Sequence, residues 1–204
     1  MLSSSSQVPH LLEQARSGDR DACGRLLEAV RPYLTLLARV SIGQRLQGKA
    51  DAADLVQETF IQALRDFPSF RGETPAEFLA WLRRILVCNL ADLLRRYYGT
   101  QARDVRLEEQ LSVALEQSSS SLAVALTAGQ SSPSEQAVRA EQALHVAEKL
   151  AALPPNYRDV LLLREIEGLT FPEIAQRMNR SVDSVEKLWV RGLARLRLSL
   201  GEPP

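Results

Sequence analysis

Arg180, Lys187, Arg191, Arg195 and Arg197 crowd into one stretch, RSVDSVEKLWVRGLARLR, residues 180–197. Lys187, Arg191 and Arg195 recur every four residues, so on a helix they share one face. Guanidinium and ammonium groups so arranged can hold phosphates or reach guanine edges, and a neighbouring carboxylate such as Glu186 can accept from cytosine. A second basic stretch runs from 83 to 106, with Arg83, Arg84, Arg95, Arg96, Arg103 and Arg106 against Asp92 and Asp104. A third candidate is acidic. In DAADLVQETF, residues 51–60, Asp54 and Glu58 stand one helical turn apart and suit a basic partner surface. The plain alternative for each is a solvated helix face.

The whole chain gives these stretches their contrast. Its 204 residues carry 25 Lys and Arg against 25 Asp and Glu, so it does not coat nucleic acid by bulk charge. Two local basic patches then imply that acid dominates elsewhere. No run approaches the length of a membrane span, and MLSSSSQVPHLLEQ has neither a basic n-region nor an apolar h-region. Cys23 and Cys88 form no CxxC pair, and His10 and His145 are the only histidines. No metal or cofactor is expected, a reducing cytoplasm is the natural setting, and both cysteines read as core filler. No cluster has catalytic spacing and no Gly-rich loop follows a strand, so an enzyme is the least supported class.

The elements that must position these residues are helices, because apolar residues recur at three and four and never alternate. Residues 19–40 carry a stripe through Leu26, Leu27, Val30, Leu34 and Leu37. A second helix covers 51–67 and ends at Pro68, with Leu55, Val56, Phe60 and Leu64 facing inward and Asp54, Glu58 and Gln62 outward. A third runs from Pro75 to Tyr98, capped by Thr74 with Glu77 in reciprocal position. Residues 112–135 are rich in Ser, Ala and Gly and nearly uncharged, which is linker composition. Helical periodicity resumes near Glu135 and lasts to Leu200. The expected fold is all-α: a domain over 1–104, a flexible linker over 105–134, and a second domain over 135–204.

In the second domain a helix after Pro155 ends at Gly168. A short helix follows with Thr170 and Glu173 as a capping box, stopping near Asn179, and Ser181 caps the last helix. Short-linked helices with a longer, basic second member make a helix-turn-helix, whose second helix enters the major groove. On that helix Val182, Val185, Trp189, Leu193, Leu196 and Leu200 form the packing stripe, which makes Trp189 core rather than a base-stacking platform. Ser184, Lys187, Arg191 and Arg195 point the other way. Asp183 favours the N-terminal dipole and can be purely structural.

DAADLVQETF resembles region 2.2 of bacterial RNA polymerase sigma factors of the extracytoplasmic-function (ECF) group, in the sigma-70 family. FLAWLRRILVCNLADLLRRYY, 78–98, resembles regions 2.3 and 2.4, and LPPNYRDVLLLREIEGLTFPEIAQRM with the following helix resembles region 4. The resemblance covers about 20–100 and 135–200. It implies a subunit that docks on the clamp coiled coil and flap of core RNA polymerase, melts the −10 promoter element through domain 2 and reads the −35 element through domain 4.

By that resemblance Asp54, Leu55, Gln57, Glu58 and Phe60 match the polymerase-binding helix. Asn89 matches the loop position that contacts an extruded −10 base, with Arg83, Arg84, Arg95 and Arg96 on the backbone, and Trp81 matches a core position. Val185, Arg191, Leu196 and Arg197 fit the pattern of the last helix. For the −35 element the contacts are Arg180, Ser181, Ser184, Glu186, Lys187, Arg191 and Arg195. The chain departs from the family at Glu186, where a basic residue is common, and at Cys88 beside the asparagine, and SVEKLWVRGLARLR differs enough that the −35 sequence cannot be carried over. An anti-sigma factor or other regulator is implied, though no segment identifies one. The main alternative is a helix-turn-helix regulator that binds an operator without polymerase, which leaves the 51–67 helix unexplained. A second is an adaptor that keeps the fold without DNA contact.

Overall fold

The computed structural model describes residues 4–45, 50–98, 105–124 and 135–201. Among these it contains α-helices, short 3-10 turns and one π turn, and no strand. The helices are α1 (Val8–Arg16), α2 (Arg20–Arg45), α3 (Ala52–Asp66), α4 (Pro75–Tyr98), α5 (Val105–Val124), α6 (Glu135–Ala152), α7 (Pro155–Leu161), α8 (Phe171–Met178) and α9 (Val182–Leu200).

Local chemistry sets most of the boundaries. Asp51 accepts the Ala53 amide at 2.8 Å to start α3, and Pro68 lies in the 3-10 turn that ends it. The capping box expected at α4 is present: Thr74 Oγ1 accepts the Glu77 amide at 3.2 Å, and Glu77 accepts the Thr74 amide at 2.9 Å. Phe67 and Phe70, just past α3, join Phe78 and Trp81 of α4 in an aromatic cluster with ring centroids 4.9–6.4 Å apart. That cluster packs the chain just past α3 against the first turns of α4. Trp81 is half-buried within it, in keeping with a packing role.

Four expectations need correction. α1 is an addition to the expected helices, although Val8, Leu11, Leu12 and Ala15 are buried at helical spacing. The flexible linker expected over 105–134 is the helix α5 over Val105–Val124, and its 125–134 part lies outside the described residues. Leu111, Leu115 and Leu122 of α5 are 0%, 1% and 1% exposed, so apolar burial rather than composition decides the conformation there. The serines fit this helix because Ser118 donates to the Ala114 carbonyl at 2.9 Å and Ser119 shares a hydrogen bond with Tyr33 at 2.8 Å. Finally, Leu64 is 49% exposed rather than buried, and Cys88 is exposed while Cys23 is buried.

α5 and α6 pack on α2 and α4, and α6 also meets α9, so the buried residues of the two domains form one continuous core. Arg39 of α2 and Asp159 of α7 pair across the junction at 3.8 Å.

Candidate polymerase and DNA interfaces

The outward face of α3 begins acidic and turns apolar. Asp54, Gln57 and Glu58 are exposed, and Ile61 and Leu64 continue the same face, 53% and 49% exposed. Glu58 meets Arg96 of α4 at 3.8 Å, an exposed pair that a partner could exchange at little cost. Leu55 and Phe60 face inward, as the apolar stripe indicates, and so do not offer the open polymerase contact that the resemblance implies. They are 3% and 6% exposed, with the Arg31 guanidinium 4.7 Å from the centre of the Phe60 ring. Buried side chains cannot touch a docking protein, so these two shape the helix from beneath.

Between α3 and about three turns of α4 lies a cleft of about 440 Å³, with Gln62 and Asp66 on one wall and Trp81, Arg84, Asn89 and Asp92 on the other. Asn89 is not on a loop: it lies within α4, half-buried, and its amide nitrogen donates to Thr59 Oγ1 at 3.2 Å. The Thr59 hydroxyl in turn donates to the Leu55 carbonyl at 2.8 Å. The asparagine therefore lines the cleft with its amide oriented. Gln62 and Asp66, bonded to each other at 2.6 Å, face it from α3. The i, i+4 spacing of that pair on the polar face of α3 is the signal that the sequence carries for them.

The four arginines of the first basic patch are not equivalent. Arg84 is exposed on the cleft wall, and Arg96 is 68% exposed. Arg83 is only 14% exposed, donating to the Tyr33 hydroxyl at 2.8 Å and pairing with Glu116 of α5 at 2.8 Å. Arg95 is 18% exposed, paired with Asp92 and, at 3.5 Å, with Glu108 of α5. The expectation that Arg83 and Arg95 lie open to a phosphate backbone is thus not met in this conformation. Arg103 of the same patch lies outside the described residues.

The helix-turn-helix is built as the sequence indicates, with one addition. α7 runs into a π turn over Leu162–Ile166, and Gly168 takes φ of 70° to turn the chain toward α8. Thr170 donates its amide and hydroxyl to Glu173 at 2.7 and 2.6 Å. Asn179 closes α8 in the left-handed region, and Ser181 Oγ accepts the Ser184 amide at 3.3 Å to begin α9.

Gly192 lets α9 approach α7 closely, because a β-carbon there would lie 3.3 Å from that of Tyr157. Val185 and Leu196 are fully buried, whereas Val182 is 38% exposed and sits off the packing stripe. Trp189 packs edge-on to Phe171 and donates to Glu165 at 2.8 Å, which supports a packing role. Arg180, Glu186, Lys187 and Arg191 are exposed together and Ser184 is half-buried beside them. Lys187 pairs with exposed Asp183 at 2.7 Å. Arg195 lies over the Tyr157 ring at 4.8 Å, which orients its stem.

The chain is similar to known proteins in both of its halves. Residues 28–99 match the family described as Sigma-70 region 2, and residues 144–196 match Sigma-70, region 4. The ECF RNA polymerase sigma-E factor of Salmonella typhimurium is 31% identical over 175 residues, 86% of this chain and 84% of that protein. The probable RNA polymerase sigma factor RfaY of Xanthomonas campestris is 30% identical over 196 residues, 96% of this chain but 44% of that protein's length. CnrH, solved in complex with the cytosolic domain of CnrY, is 28% identical, with 95% of this chain and 96% of that one covered at a TM-score of 0.35. The chain belongs to the sigma-70 family, in its ECF group.

Proposed function

We propose that this protein is an alternative sigma factor, a non-enzymatic cytoplasmic subunit that binds core RNA polymerase and directs initiation at promoters carrying −10 and −35 elements. The reading is supported by exposed basic side chains on both α4 and α9 and, beside the first set, an exposed acidic-to-apolar face of α3. An operator-binding regulator uses only the α9 surface.

In this reading residues 1–104 hold polymerase and the −10 element, and residues 135–204 hold the −35 element. Asp54, Gln57 and Glu58 meet a basic surface on the clamp coiled coil, and the flap is the second contact. An unpaired −10 base enters the cleft at Asn89, with Arg84 and Arg96 on the backbone. Unstacking costs a few kcal/mol, and a polar pocket with an aromatic wall offsets it. Lys187 and Glu186 read base edges at −35, while Arg180 and Arg191 hold phosphates. Release of such a factor calls for a regulator, and an anti-sigma protein fits that role.

The direct test is the variant Asp54→Lys/Glu58→Lys. Both positions are exposed, so the fold is expected to survive while core binding weakens, by a few kcal/mol if the partner charges are left buried. Co-purification with core enzyme at the wild-type level would show that α3 is not the docking helix.

A further inference from the structure

α5 packs beside α4 and takes up two of the arginines of its basic patch, Arg83 and Arg95, while Arg84 and Arg96 stay exposed. Its leucines are sunk in the core, and on the same flank two carboxylates reach α4. Glu116 pairs with Arg83 at 2.8 Å and Glu108 with Arg95 at 3.5 Å. Arg83 is held from a second side, because it donates to the Tyr33 hydroxyl and that hydroxyl shares a hydrogen bond with Ser119 of α5 at 2.8 Å. Tyr33 is 1% exposed, so this linkage is shielded from water. Between the helices lies a cleft of about 430 Å³, where Glu109 and Ser112 of α5 face Arg84. By contrast, Lys187 on α9 is held by an exposed aspartate of its own helix.

We propose that α5 is an autoinhibitory strap: Glu108 and Glu116 occupy guanidinium groups that the backbone of the single-stranded −10 element would otherwise bind, so that DNA engages domain 2 fully only when α5 lifts. The proposal rests on the sigma-factor reading above. Carboxylate and phosphate oxygens compete for the same guanidinium donors, and phosphate replaces carboxylate like for like. The Nη1 atom of Arg95 is buried 3.5 Å from Glu108 Oε1 and makes no hydrogen bond among the described residues, so α5 holds that arginine by charge rather than by a well-formed hydrogen bond. What resists opening is the burial of Leu111, Leu115 and Leu122. Apparent DNA affinity then falls in proportion to the small open fraction.

The test uses the full chain and a fluorescein-labelled, random-sequence single-stranded DNA of about 20 nucleotides, since backbone contacts carry no sequence information. Glu108→Gln/Glu116→Gln removes the competing charges. Glu13→Gln/Glu141→Gln removes the same charge from exposed positions on α1 and α6. Leu115→Ala loosens the strap with no change in charge. Titration by anisotropy is expected to show at least about fivefold tighter binding for the Glu108/Glu116 variant and for Leu115→Ala. The control pair should stay within about twofold of wild type.

If Leu115→Ala does not fold, as judged by helical circular dichroism, the glutamine pair decides. A glutamine pair that gains no more than its control, or a folded Leu115→Ala that gains nothing, overturns the strap and makes α5 a fixed part of domain 2. Promoter-directed transcription by wild-type protein with core polymerase is run in parallel. Its failure counts against the sigma reading, whereas its success beside an unchanged strap variant counts against the strap alone.

Discussion

Arg83 and Arg84 are neighbours in sequence with unlike surroundings. One is clamped between Tyr33 and Glu116, and the other stands exposed on a cleft wall. The sequence puts both on a basic face and does not separate them, because the difference is made by α5, which its serine content disguises. Leu55 and Phe60 are different, because their burial is legible in the apolar stripe even though a motif match falls on the same positions. Asn89 is legible in the sequence as a residue of interest, but its partner Thr59, across the α3–α4 contact, is not.

Asn89→Ala is expected to slow promoter opening more than it weakens −35 binding. Permanganate reactivity of unpaired thymines on a duplex template measures this, and unchanged opening kinetics would count against the cleft. On α9, Lys187→Ala should cost about 1 to 3 kcal/mol on the preferred −35 sequence and relax choice at one base pair. Arg191→Ala should weaken all sequences alike and lower the salt slope by about one unit. Titrations of matched and mismatched duplexes at several salt concentrations separate the two.

At the scale of elements, caps and apolar periodicity make most of the helices legible in the sequence. Thr74 with Glu77 and Thr170 with Glu173 each mark a true helix start. α1 is hard to see because its apolar stripe is short and follows a serine run. α5 looks like a linker because serine is a poor helix former in the open, whereas here Ser118 and Ser119 find partners within or beneath the helix.

The two caps make stability depend on pH in a definite direction. Hydrogen bonds from the Glu73 and Thr74 amides and the Thr74 hydroxyl hold the Glu77 carboxyl below its ordinary value. The Thr170 hydroxyl and amide do the same for Glu173. A folded value below the unfolded one contributes stability above the unfolded value and loses it as pH falls through the folded one. Burial raises Glu167, against the opposing pull of Arg177, so it works in the reverse sense. Thermal melts from neutral to about pH 3 should therefore show a steeper acid loss for wild type than for Glu77→Gln/Glu173→Gln. Equal slopes would remove the caps from the pH response.

For the molecule as a whole, the order of parts and the two-domain division can be read from the sequence, while the packing between them is a property of the folded chain. The continuous core through α5 and α6 depends on leucines at 111, 115, 144 and 150, each 3% exposed or less, scattered among polar and small residues. Their shared burial is a tertiary fact that no single segment announces. The central claim is that these parts act together on polymerase, and it is tested most directly by transcription from genomic fragments with purified core enzyme, with and without the protein. Discrete run-off products that start at shared −10 and −35 sequences and require the protein are the expected result. Core enzyme that gains no promoter-specific start when the protein is added, while the protein alone binds duplex DNA tightly, would contradict it and favour an operator-binding regulator.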